Sequence, residues 1–113
     1  MLYNALPVYH SSYKLITELF YLVKNFTREY KFTLGESLKK ESVELIVNIY
    51  RANCSFDSRK KSLKKARENV EIVRLFLRLA KDMRQISLEN FVRSSRHLED
   101  VSRQLTGWDK SLK

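Results

Sequence analysis

Two glycines and one proline in 113 residues leave this chain few places to turn. A sheet protein of this size needs many tight turns, built on residues that reach a positive φ or arrive with φ already set. Long helices need few. Leu, Lys, Arg, Glu, Ser and Val dominate the rest of the sequence, as in helix-rich proteins. The length suits a single domain over residues 1–113 with one hydrophobic core. An all-α fold is the expectation.

Apolar periodicity divides the chain into four helical segments. The first runs from about Val8 to Phe26, with Pro7 in the first turn, where proline is tolerated. Tyr9, Tyr13, Ile16, Phe20 and Val23 form one apolar row, flanked by Ser12, Leu15, Leu19, Leu22 and Phe26. The second begins at Thr33, whose spacing to Glu36 matches a capping box, and ends near Asn53. Leu34, Leu38, Leu45, Ile49 and Ala52 make its row, widened by Val43, Ile46, Val47 and Tyr50. The third, from about Ser58 to Arg84, is the longest at roughly 40 Å, with Asp57 or Ser58 as its cap. Leu63, Ala66, Val70, Val73, Leu77 and Ala80 follow the three-four alternation of a coiled-coil seam. The fourth starts at an Ser87 N-cap and carries Leu88, Phe91, Ser95, Leu98, Ser102 and Leu105. Thr106-Gly107 is expected to end it, leaving Trp108 on a short tail, tucked onto the bundle or buried between subunits. Short links favour antiparallel neighbours, hence an up-down-up-down four-helix bundle.

The formal charge is +9, from 22 basic and 13 acidic residues. Such an excess attracts polyanions. Nucleic acid is the first candidate, ahead of an acidic protein or an anionic membrane surface. The stretch from Ser58 to Arg84 holds ten basic residues and three acidic ones, a local net charge of +7. On a wheel of about 100° per residue, Lys60, Lys64, Arg67, Arg74, Arg78 and Lys81 fall within roughly one quadrant, away from the seam. Glu71 is the only acid among them. They form a rail of cations able to meet phosphates, binding RNA and DNA in a salt-dependent way largely blind to sequence. The bland alternative is a solvated face partly neutralised by Glu71. Arg93, Arg96 and Arg103 add charge on the fourth helix.

Nothing in the sequence suggests catalysis. No glutamate has a histidine three residues on, as di-iron bundles require. His10 and His97 stand apart from other ligands in sequence, so neither a metal nor another cofactor is expected. Neither Gly35 nor Gly107 belongs to a phosphate-cradling loop. Cys54 is a lone thiol that cannot pair within the chain and reads as structural. Tyr3, Tyr9, Tyr13, Tyr21, Tyr30 and Tyr50 are better read as packing residues than as base-stacking platforms. No apolar run is long enough to cross a bilayer, and the first residues lack the pattern of a signal peptide. A cytoplasmic location without membrane contact is expected. The two glycosylation-like triplets at Asn25 and Asn53 are read as chance.

Several stretches resemble a known family: Leu6-Pro7-Val8-Tyr9; Phe32-Thr33-Leu34-Gly35-Glu36-Ser37-Leu38; Glu44-Leu45-Ile46 with Ala52-Asn53; Arg78-Leu79-Ala80-Lys81-Asp82-Met83 with Ile86-Ser87-Leu88; and Gly107-Trp108. In order and spacing they resemble the accessory variability determinant (Avd) proteins of diversity-generating retroelements. These sit within a wider four-helix-bundle family that includes proteins encoded in intervening sequences of 23S rRNA genes. Thr106-Gly107 stands where the retroelement branch usually has two glycines. The resemblance implies a homopentameric ring with a basic surface and no catalytic activity. It implies a partner, the element's reverse transcriptase, and non-specific binding of nucleic acid, the template RNA or cDNA, in support of mutagenic retrohoming. The host would be a bacterium, the gene bacterial or phage-borne. The alternative is an assembly protein of the rRNA intervening-sequence type, its basic surface meeting an acidic protein.

Overall fold

The computed structural model describes residues 6–112. Five helices follow one another: α1 (Pro7–Val23), α2 (Arg28–Lys31), α3 (Leu34–Cys54), α4 (Arg59–Asp82) and α5 (Leu88–Ser111). The four long ones form the bundle, and α2 is a single turn on the α1–α3 connection. α1 packs on α3 and α5, α3 on α4, and α4 on α5, which closes a square. Side-chain bonds set the directions. Ser11 reaches Asp100 and Glu18 reaches Ser94, so α1 and α5 run antiparallel. Arg67 meets Asp109 and Arg74 meets Glu99, so α4 and α5 do too. The molecule measures 43 × 23 × 21 Å.

The helix ends follow the sequence in part. Pro7 opens α1 at its first position. Ser87 Oγ accepts from the Asn90 backbone N–H at 3.0 Å and caps α5. The Thr33–Glu36 capping box does not form. The extra turn α2 puts Glu29 one turn before Thr33, whose hydroxyl donates to the Glu29 carbonyl at 3.1 Å, and Glu36 pairs with Lys39 instead. Neither Asp57 nor Ser58 caps α4 through its side chain. Arg59 takes up the loose end of α3: Nε donates to the Ala52 carbonyl at 2.7 Å and Nη2 to that of Asn53 at 3.3 Å.

The tail expected after Gly107 is helix. α5 continues through Gly107 to Ser111, because Trp108 and Leu112 pack against the core. That contact outweighs the roughly 1 kcal/mol a mid-helix glycine costs. Trp108 therefore finds its cover from within a helix.

The α4 seam is the spine of the core: Leu63, Ala66, Val70, Val73, Leu77 and Ala80 are all at most 1% exposed. In α1 the flanking row is the buried one, with Val8, Ser12, Leu15, Leu19 and Leu22 inside, while Tyr13 and Phe20 face outward. In α5 the buried row is Ser94, Leu98, Val101 and Leu105, and Leu88 is exposed. Leu98 and Leu105 are buried as the sequence row has them, while at Ser95 and Ser102 the buried residue is the one before, Ser94 and Val101. Each long helix in fact buries one serine: Ser12, Ser42, Ser62 and Ser94. Ser12 and Ser42 donate to carbonyls three residues back, so burial leaves their hydroxyls satisfied. At the α3–α4 contact Asn48 Nδ2 donates to Asn69 Oδ1 at 2.8 Å, and Asn69 donates on to Glu41 at 2.6 Å.

Candidate nucleic-acid interface

The six rail residues all lie on α4, but their environments differ. Antiparallel packing turns Arg67, Arg74 and Lys81 toward α5. Arg67 meets Asp109 at 3.0 Å. Arg74 is held by Glu99 at 2.8 Å and by Glu71. Arg78 lies 3.5 Å and Lys81 3.8 Å from Asp82, and Lys81 Nζ sits 5.0 Å over the Phe91 ring. Hydrogen bonding to Glu99, then Glu71, holds the Arg74 guanidinium above its already high ordinary value. The same bond holds the Glu99 carboxyl below the usual carboxylate range.

Lys60 and Lys64 are different: both are exposed, and neither has an ion-pair partner among the described residues. The same is true of Lys61 and Lys65, which the wheel placed off the rail. So the rail is not uniform. Its later part is largely neutralised by carboxylates of α4 and α5. The rail's uncompensated charge gathers on the first two turns of α4, where Lys60, Lys61 and Lys64 line a shallow cleft of about 600 Å³ together with Glu68, Glu71 and the Arg67–Asp109 pair. A phosphate approaching Arg74 must compete with two carboxylates already in place. One approaching Lys60 or Lys64 displaces only water and counterions.

A family model described as bAvd-like matches residues 8–112, from α1 through the last turn of α5. The chain belongs to the bAvd-like family. No curated protein sequence matches it.

On the bAvd-like bundle the remaining candidates take their places. Arg93 pairs with Glu89 and Arg103 with Asp100, while Arg96 has no ion-pair partner among the described residues. His97, isolated in the sequence, lies with Nδ1 3.4 Å from Glu18 Oε2 once α1 and α5 pack. His10 lines the same cleft as His97, with Asp100 between α1 and α5. Cys54 is exposed at the end of α3. Tyr9 and Tyr30 are half-buried, as packing residues should be, whereas Tyr13, Tyr21 and Tyr50 are exposed; Tyr3 lies outside the described residues. No described helix is long and apolar enough to cross a membrane.

The sequence missed the split in the rail because it weighed Glu71 alone. Asp82, about five full turns from Lys64 and so on the same side of α4, faces Arg78 and Lys81, and the other acids come from α5. Glu99 and Asp109 sit 25 and 42 residues from the arginines they neutralise. The signal was present in the predicted antiparallel pairing, which brings α5's acids beside α4.

Proposed function

We propose that the chain is the non-catalytic accessory protein of a diversity-generating retroelement, one that joins the element's reverse transcriptase to template RNA and cDNA during mutagenic retrohoming. The observation that carries this reading is a cluster of unpaired lysines at one end of α4 in a bundle of the bAvd-like family. Family membership supports the retroelement role. The lysines support a backbone-directed grip on nucleic acid, which needs charge rather than base readout. An apolar face on α1 and α3, with Tyr13, Phe20, Val43, Val47 and Tyr50 exposed, supports assembly of several copies, five by family resemblance. The site of action is the cytoplasm of a bacterium, whether the gene is bacterial or phage-borne.

Co-purification with the reverse transcriptase encoded beside it tests the proposal. Recovery of the polymerase with the tagged protein, before and after nuclease treatment, is the expected result. Recovery that nuclease abolishes would reduce the role to shared nucleic-acid binding. No recovery under either condition would overturn the partnership.

A further inference from the structure

The link between α3 and α4 carries an aromatic ring in an unusual position. Phe56 is 78% exposed, the highest value of any large apolar side chain among the described residues. A phenylalanine left in water gives up burial worth about 1.5–3 kcal/mol. It is also held in place. The Arg59 guanidinium lies 5.4 Å from the ring centroid while bonded to the carbonyls of Ala52 and Asn53. The Arg59 backbone N–H donates to the Phe56 carbonyl at 3.3 Å, and the Ser58 N–H donates to Ser55 Oγ. One side of the ring thus rests on a cation anchored to the end of α3, and the rest stands in solvent.

The ring projects at the end of α4 that carries the unpaired lysines. Lys60 and Lys64 are one helical turn apart, about 5.4 Å along the axis, and Lys61 and Lys65 repeat that spacing beside them. Asp57 is the one acid in the link, and Glu68 follows one turn after Lys64, against four lysines and Arg59. A fixed exposed aromatic beside a positive track is the combination that binds single-stranded nucleic acid: the ring stacks on a base and the cations follow the backbone. Pre-fixing the ring lowers the ordering cost of binding.

We infer that the α3–α4 end of the bundle is a single-strand binding tip, in which Phe56 stacks on an unpaired base while Lys60, Lys61, Lys64 and Lys65 hold the flanking phosphates. The inference rests on the reading that the protein binds nucleic acid, and it adds a substrate class: unpaired RNA or DNA in preference to duplex. In a duplex the bases are already stacked on one another, so only the lysines can engage.

Fluorescence anisotropy with three labelled ligands of equal length tests it: oligo-dT, an abasic strand and a duplex. Phe56→Ala should weaken oligo-dT binding roughly 5- to 150-fold, the range for one base–aromatic stack. It should leave abasic-strand and duplex binding unchanged and the salt dependence intact. Phe56→Tyr should restore oligo-dT binding. If Phe56→Ala binds oligo-dT like the parent protein, the tip is overturned while nucleic-acid binding stands. If the parent protein binds none of the three ligands, both readings fall. If Phe56→Ala instead changes the sedimentation coefficient, or binding to anionic vesicles, with oligo-dT affinity intact, the ring serves a contact between copies or a membrane and the inference fails.

Discussion

Arg74 of α4 and Glu99 of α5 are joined by two hydrogen bonds of 2.8 Å, from Nε to Oε2 and from Nη2 to Oε1. This two-pronged pair makes a rail cation part of the framework. Both side chains remain more than a third exposed, so solvent screening limits the pair to at most about 1 kcal/mol. Glu99→Gln should lower stability by up to that amount at neutral pH, read from urea midpoints. The pair depresses the Glu99 pKa below its ordinary value of 4.5. The unfolded chain therefore takes up the proton first as pH falls. The pair's contribution is full above about 4.5 and is lost as pH drops through the lower folded-state value. The gap between the parent protein and Glu99→Gln should close over that acidic window. A gap unchanged by acid would mean the pair contributes through packing rather than charge.

Backbone demands and glycine positions are mismatched in this chain. At Gly35 an added Cβ would come within 2.7 Å of Val23 Cγ1 and 3.3 Å of the Tyr30 carbonyl. Val23 is buried and β-branched, so it cannot swing away. Gly35→Ala should destabilise, with an overpacking cost of about 1–3 kcal/mol set against a helix gain of about 1. At Gly107 nothing lies within 4 Å of the added carbon. Gly107→Ala should stabilise by about 0.5–1 kcal/mol. Arg84 has the reverse problem. It takes φ 59° at the end of α4, with its own N–H donating to the Lys81 carbonyl and the Gln85 N–H donating to that of Ala80. That is the helix stop usually given to glycine, so Arg84→Gly should gain up to about 1 kcal/mol. Thermal or urea unfolding of the three single variants checks all three signs.

Features carried by periodicity were legible in the sequence. The α4 seam, the antiparallel order and the Ser87 cap follow from spacing and residue type alone. Features that depend on what a neighbouring helix brings were not. Ser94 is core because Glu18 arrives from α1 to accept its hydroxyl at 2.6 Å. Asn48 and Asn69 are buried at the α3–α4 contact, where Asn48 Nδ2 donates to Asn69 Oδ1 and Asn69 Nδ2 donates on to Glu41. Thr33 does not cap α3: its hydroxyl donates back to the Glu29 carbonyl, and its backbone at φ −119°, ψ −92° is not the extended conformation from which a cap accepts. The site follows the same rule. Its cations are visible in the sequence, but which of them remain uncompensated depends on Glu99 and Asp109 across the helix contact.

The outer face of α1 and α3 should decide assembly. Lys39 Nζ lies 5.4 Å over the Phe20 ring, so the antiparallel register puts Tyr13, two turns earlier, level with the Val43–Val47 stretch. Tyr13, Phe20, Val43, Val47 and Tyr50 are all exposed there. Sedimentation equilibrium at micromolar concentration should show a stable oligomer, most simply five copies. Tyr13→Ser combined with Val43→Ser should dissociate it without unfolding, since exposed positions change stability by less than about 0.5 kcal/mol each. A monomeric parent protein would sink this assembly. An oligomer indifferent to the double change would move the contact to the apolar rim of Leu75, Met83, Leu88 and Val92 on α4 and α5.

The uneven rail predicts uneven effects of charge reversal. Lys60→Glu with Lys64→Glu removes two uncompensated cations from exposed positions. Stability should stay within about 0.5 kcal/mol of the parent protein. Affinity for RNA and DNA should fall alike, because phosphate contacts carry no sequence information. The slope of log affinity against log salt should flatten by about 1.4 on single strands and about 1.8 on duplex, two contacts' worth of counterion release. Arg74→Glu with Arg78→Glu changes net charge by the same amount but sets new carboxylates against Glu71, Glu99 and Asp82. That double should lower the urea midpoint and, where it remains folded, weaken binding less, since its arginines were already compensated. Lys14→Glu with Lys24→Glu on α1 is the control of equal charge change away from α4. Equal loss of affinity in all three doubles would show that only total charge matters. A Lys60/Lys64 double that binds like the parent protein would show that the first turns of α4 are a solvated face and no interface.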